Sequence, residues 1–117
     1  MSAKNSQINY VEFQAKDLGK IKEFYTAAFG WTFTDYGPDY VAFSDSGLEG
    51  GFEKTDKEIV NGALIILYHE DLEFIKAKII KCNGRISIDI FSFPDGRRFH
   101  FMDLAGYELA VWSDKQE

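Results

Sequence analysis

Apolar and polar positions alternate over residues 8–15, with Val11, Phe13 and Ala15 opposing Asn9, Glu12 and Gln14. A period of two predicts a strand with one face on a core. The period changes after Asp17. Leu18, Ile21, Tyr25 and Ala28 then fall at helical spacing and form one apolar stripe. Asp17 suits the N-cap and Gly30 the C-terminal stop. Three short β segments follow, over residues 31–36, 40–44 and about 48–53. Gly37-Pro38-Asp39 and Asp45-Ser46-Gly47 supply the turns between them.

The same order then returns. Asp71-Leu72 repeats Asp17-Leu18 at an offset of 54 residues. The offset also carries Leu18, Ile21, Tyr25 and Ala28 onto Leu72, Ile75, Ile79 and Cys82, and Gly30 onto Gly84. A strand over 63–68 precedes this second helix, expected over 71–83. Strands over 86–93, 98–103 and 107–112 follow, separated by Pro94-Asp95-Gly96 and Leu104-Ala105-Gly106. Residues 55–61 are polar and charged and make a linker. The pattern is βαβββ, twice: one domain over residues 1–117, built of modules at about 8–54 and 62–113. Repetition in so short a chain predicts a duplicated α+β fold with a site between its halves. Each half has too little surface to bury alone, so the halves are expected to share one mixed, cup-shaped sheet with both helices on its outer face.

Strand alternation divides the residues between the two faces. Val11, Phe13 and Ala15, Phe99 and Phe101, and Leu109 and Val111 belong under the helices. Tyr10 and Glu12, Arg98, His100 and Met102, and Glu108 and Trp112 belong on the concave side. Ser87 and Asp89 are expected to join them, because Ile86, Ile88 and Ile90 form an apolar face.

Hydrophobic residues make up 45% of the 117 and aromatic residues 16%, enough for a packed core. No apolar run approaches the ~20 residues that span a bilayer. The polar N-terminus lacks a signal-peptide stretch. A single cysteine excludes an internal disulfide, so a cytoplasmic location is expected. Cys82 takes the place of Ala28 on the stripe and reads as a small buried hydrophobe. The net charge of −6, with no basic patch, argues against nucleic acid. His69 reads as a surface residue, and His69-Glu70 is not a zinc signature because Glu73 stands four positions after His69.

The opening INYVEFQAKDLGKIKEFYTAAFGW and the closing FHFMDLAGYELAVW resemble the vicinal-oxygen-chelate superfamily, which includes glyoxalase I, bleomycin-binding proteins and extradiol dioxygenases. The resemblance runs from about Ile8 to Trp112. It implies paired βαβββ modules, a homodimer, and a site that in many members holds a divalent ion on His and Glu. The first such ligand position, seven residues before the helix-opening Asp, falls at Tyr10. The next falls at Leu64 or Ile65, and the last, four residues after the turn glycine, at Ala110. None of these suits such an ion. No metal or other cofactor is therefore expected. A relocated site would draw on Glu12, His100 and Glu108, with Glu49 or Glu53 from a strand whose register Gly50-Gly51 leaves open.

The function expected is binding of a small organic molecule in an aromatic, acidic cup. Tyr10, Met102 and Trp112 would supply contact, Glu12 and Glu108 would attract positive charge, and Arg98 would clamp an anionic group. The alternative is a lyase or isomerase in which His100 moves a proton, partnered by Glu108 or Glu12. The plainer readings make His100 a lining residue satisfied by Glu108, pair Arg98 with Asp95, and give Trp112 and Tyr10 to packing or a dimer interface.

Overall fold

The computed structural model describes residues 3–59, 62–104 and 106–116. The expected linker over 55–61 and the turn over 104–106 each include positions outside that set. The elements run β1 (Gln7–Ala15), α1 (Leu18–Phe29), β2 (Thr32–Asp35), β3 (Tyr40–Ser44), β4 (Gly50–Lys54), β5 (Leu64–Tyr68), α2 (Leu72–Lys81), β6 (Arg85–Phe93), β7 (Gly96–Met102) and β8 (Glu108–Ser113). The order is βαβββ twice, as the repeat predicts, and the fold is α+β.

Two compact units result. The N-terminal unit runs from Tyr10 to Ala63. The C-terminal unit starts at Leu64 and takes in the chain up to Asn9. That opening segment is tied down there: Ser6 N–H donates to Tyr68 O at 2.8 Å, and Asn5 Nδ2 to Glu70 Oε2 at 3.1 Å.

In the N-terminal unit β1 pairs with β4 in parallel, with Val11 opposite Gly50 and Phe13 opposite Phe52. β2–β3 and β3–β4 are antiparallel. The C-terminal unit repeats the plan. β5 pairs with β8 in parallel, with Ile65 opposite Leu109 and Leu67 opposite Val111. β6–β7 and β7–β8 are antiparallel.

A parallel pair needs a crossover, and the helix supplies the cover for one face of it. Under α1, Ala15, Leu18, Val41, Phe43 and Phe52 form the core, with Ile21, Tyr25 and Trp31 packed against it. Under α2, Leu72, Phe99 and Val111 are the buried centre, with Ile75 and Ile79 packed on. Both helices open on an aspartate cap: Asp17 Oδ1 accepts from Lys20 N–H at 3.0 Å and Asp71 Oδ1 from Phe74 N–H at 3.0 Å.

Three expectations need correction. Ala28 and Cys82, the last members of the two stripes, are exposed. Cys82 is the C-cap of α2, where the chain leaves helical geometry and a residue no longer follows the stripe. Gly84 does not stop α2 as Gly30 stops α1. Gly30 takes the left-handed conformation at φ 77°, but after α2 that role falls to Asn83 at φ 76°. Gly84 instead allows close approach, because a Cβ there would lie 2.6 Å from Ile79 Cγ2. Asp89 does not join the His100 face. Register shifts flank Ile88 in β6 and break its alternation. Asp89 reaches Lys76 of α2 at 2.6 Å instead, and Ile88 is left exposed. The lysine holds the Asp89 carboxyl below the usual range.

Removing the α1 cap orphans a backbone donor. Asp17→Ala is expected to lower the unfolding free energy by about 1 kcal/mol. Urea unfolding followed by circular dichroism checks this, and an unchanged midpoint would show that the cap contributes nothing.

Candidate functional site

In each unit one strand face lies under the helix and the other carries the polar residues. On that second face of the C-terminal unit, register sets Arg98 opposite Trp112, His100 opposite Ala110 and Met102 opposite Glu108. His100 is buried, and its Nδ1 lies 3.3 Å from Glu108 Oε2. The same carboxylate oxygen accepts from Ser87 Oγ at 3.0 Å. The imidazole stacks on Phe91, with centroids 6.1 Å apart, and the Arg98 guanidinium carbon sits 5.6 Å from the same ring. Both His100 ring nitrogens and Arg98 Nε are shut off from solvent.

Trp112 is held by two kinds of contact. Its indole N–H donates to Asn9 Oδ1 at 2.7 Å, and its ring meets Tyr68 edge-on at 5.4 Å. The Tyr68 hydroxyl donates to Asp114 Oδ1 at 2.6 Å. That bond to a carboxylate, with burial, pushes the Tyr68 phenol up to about 12, and it holds Asp114 below the usual range.

The N-terminal unit carries a second polar set. Tyr40 O–H donates to Glu12 Oε1 at 3.2 Å, and the Tyr10 and Tyr40 hydroxyls lie 2.6 Å apart. With the Tyr40 proton committed to the carboxylate, Tyr10 is the donor to Tyr40. Glu12 is buried. Burial, then the Glu12 charge, raises the Tyr40 phenol well above its ordinary value, and burial raises Tyr10.

Glycine at position 51 makes the Tyr40 placement possible. A Cβ on Gly51 would lie 2.6 Å from the Tyr40 hydroxyl. The register left open by Gly50-Gly51 is now defined. Gly51 is opposite Glu12, and Glu53 opposite Gln14, so Glu53 shares the Glu12 face. Gln14 Nε2 donates to Glu53 Oε1 at 3.4 Å. The Glu49 charge also bears on the Tyr10 phenol.

The structure therefore gathers His100, Glu108, Arg98, Met102 and Trp112 on one face of the C-terminal unit. Glu12 and Tyr10 share a face of the N-terminal unit. Arg98 lies over Phe91, which the sequence reading did not name although alternation leaves it on the side of Ser87. Tyr40 was missed as well. Its signal was present, since Val41 and Phe43 are the apolar alternates that leave Tyr40 on the other side.

His69 corrects another expectation: it is buried. Its Nδ1 accepts from Asp71 N–H at 2.9 Å and its ring lies 5.8 Å from that of Phe74, so it braces the start of α2. Arg97 acts nearby, gripping Glu73 through its two terminal guanidinium nitrogens at 2.7 and 3.2 Å and holding that carboxyl below the usual range.

The positions expected to hold a divalent ion do not fit one. Tyr10 is a protonated phenol hydrogen-bonded to Tyr40, Leu64 and Ile65 have no donor atoms, and Ala110 is a buried methyl. Among the described residues, no group of three or more His, Cys, Asp or Glu side chains is placed to hold a metal. Nor is any helix among them long and apolar enough to cross a membrane.

The family model described as Glyoxalase/Bleomycin resistance protein/Dioxygenase superfamily matches residues 7–111. No curated protein matches. Among solved structures, the NAD-dependent benzaldehyde dehydrogenase from Legionella pneumophila superposes with a TM-score of 0.73 at 18% identity, over 92% of this chain and 99% of that one. A methylmalonyl-CoA epimerase variant from Streptomyces coelicolor, in complex with 2-nitronate-propionyl-CoA, gives 0.69 at 15%, over 94% and 98%. The Mn(II)-bound glyoxalase from Novosphingobium aromaticivorans gives 0.68 at 19%, and its match covers 97% of this chain but 40% of that one. At such identities these likenesses show the fold.

The Tyr68 phenol titrates near 10.0 when unperturbed and at about 12 in the folded protein. The folded state thus holds this proton to higher pH. The stability it contributes is complete below the unfolded value and is lost as pH rises from about 10 to about 12. A tyrosinate absorbance titration is expected to show a late-ionising class that Tyr68→Phe reduces by one residue. Loss of stability over the same window should be shallower in that variant, and identical curves would refute the assignment.

Proposed function

We propose that this chain, which belongs to the Glyoxalase/Bleomycin resistance protein/Dioxygenase superfamily, binds a small organic molecule without the help of a chelated metal ion. One observation carries this reading. The Tyr10 position, where the family resemblance places a metal ligand, is committed to a Tyr10–Tyr40–Glu12 hydrogen-bond chain. A phenol held protonated by burial is a hydrogen-bond donor and an aromatic surface, not a metal ligand.

The polar face of each unit supports the reading by itself: that of the N-terminal unit favours a positive group, and that of the C-terminal unit a flat ring. Glu12, Glu53 and the Glu49 charge surround the tyrosines. Trp112 in the C-terminal unit offers an indole whose N–H is already engaged by Asn9, leaving its ring for stacking. A homodimer working in the cytoplasm completes the reading.

Thermal unfolding of EDTA-treated protein tests it. A cationic aromatic compound at 100 times its Kd should stabilise by about 2.7 kcal/mol, a shift of several degrees. Quenching of Trp112 fluorescence should saturate over the same concentrations. Selective stabilisation by Mn, Ni, Zn or Fe would overturn the metal-independent reading.

A second reading, a lyase or isomerase, rests on the His100–Glu108 contact with Ser87 behind it. A carboxylate orients the imidazole as a general base requires. The burial of both ring nitrogens favours the binding reading, since proton transfer needs a substrate within hydrogen-bond reach. If turnover of an acidic C–H substrate is found, His100→Gln should abolish it with the fold intact. Undiminished turnover would remove His100 from that role.

A further inference from the structure

The tyrosines of the N-terminal unit form a hydrogen-bond chain with a direction, and the direction limits what the chain can hold. Glu12 is buried, with 8% of its surface exposed, and a carboxylate only accepts. It takes the Tyr40 proton at 3.2 Å, which leaves the Tyr40 oxygen to accept from Tyr10 at 2.6 Å. Both hydroxyl protons therefore point toward the carboxylate. Among the described residues the Tyr10 hydroxyl bonds to Tyr40 alone. Its proton is spent there, and what it offers to anything else is oxygen lone pairs.

Strand order builds this chain across a gap. Tyr40 stands on β3, and Tyr10 and Glu12 stand on β1, with β4 between them. Gly51 lies opposite Glu12 on one side and Ala42 on the other, and the Tyr40 hydroxyl fills the space its side chain would take. The carboxylate itself is shut in, but the Tyr10 side chain is only half-buried. Successive hydrogen bonds polarise one another, so the Glu12 charge strengthens the Tyr10 oxygen as an acceptor. The Glu49 charge bears on the same phenol.

We propose that the positive group bound by the N-terminal unit donates an N–H bond to the Tyr10 oxygen, and that Tyr40 is the positioning residue that keeps Tyr10 an acceptor. The ligand class is then a primary or secondary ammonium. This rests on the reading of that face as a site for a positive group, and adds to it the contact atom and the source of selectivity. A quaternary ammonium has the charge and gains from the ring faces, but it has no N–H and leaves the Tyr10 lone pairs unmet. An anion finds no proton at Tyr10 and faces the Glu12 charge.

Calorimetric titration of the full chain with phenethylammonium and with its N-trimethyl analogue tests this. The two share a ring and a charge and differ in N–H donors. The wild-type chain should prefer the N–H cation by roughly tenfold, the scale of one charge-assisted hydrogen bond. Tyr40→Phe should cut the preference severalfold and leave the affinity for the trimethyl analogue in place, whereas a merely structural role would weaken both cations alike. Tyr10→Phe should erase the preference, and adding Tyr40→Phe to it should change nothing further, because Tyr40 acts through Tyr10. Glu12→Gln should weaken both cations. Equal wild-type affinity for the two cations, an undiminished preference in Tyr40→Phe, or additive effects in the double variant would overturn the proposal while leaving metal-independent binding of a cation intact. Binding of neither cation would overturn both. If Tyr40→Phe fails to fold, the wild-type preference and its loss in Tyr10→Phe decide.

Discussion

Parallel pairing of the first and last strand in each module is the constraint on which the rest depends. It sets Val11 opposite Gly50 and Ile65 opposite Leu109, and every neighbouring contact follows from those rows. Because side chains alternate with a period of two, one such row decides which residues meet the helix and which do not. A slip of one residue would turn Phe52 and Val111 out of the core and bring Glu53 and Trp112 into it. The cost of burying that carboxylate and emptying the core makes the register unambiguous.

Within this frame, glycine and aromatic residues act together. Gly50 and Gly51 stand on opposite faces of β4, and each makes room for a ring from β3. The Phe43 ring occupies the space a Gly50 side chain would need, and Tyr40 that of Gly51. One ring completes the core, and the other carries the hydrogen-bond chain to Glu12. In the C-terminal unit the corresponding residue to Gly51 is Ala110, by the same pairing rows, and no tyrosine chain forms there among the described residues. His100 faces Ala110 and meets Glu108 and Phe91 instead. Duplicated backbones thus support two different chemistries, because small changes in side-chain volume decide what can lie across a strand.

The polar faces are held from behind as well as from the side. The Tyr68 bond to Asp114 and the Asn9 bond to the Trp112 indole reduce the freedom of both rings. Arg97, on the opposite face of β7 from Arg98, grips Glu73 in the first turn of α2 and ties the helix to its strand. Two adjacent arginines therefore serve different ends, as strand alternation requires.

Local signals in the chain determined a great deal. The aspartate caps, the period-two strands and the 54-residue offset were enough for the βαβββ order, and for most face assignments, because they depend on neighbours a few residues apart. Family resemblance and the missing ligand types at Tyr10, Leu64 and Ala110 were legible in the same way. Tertiary structure alone decided the register through Gly50-Gly51, where two residues without side chains carry no alternation. It alone turned Asp89 toward Lys76, since the irregular β6 pairing depends on β7. It buried His69 and exposed Cys82, whose environments are set by what packs over a helix end.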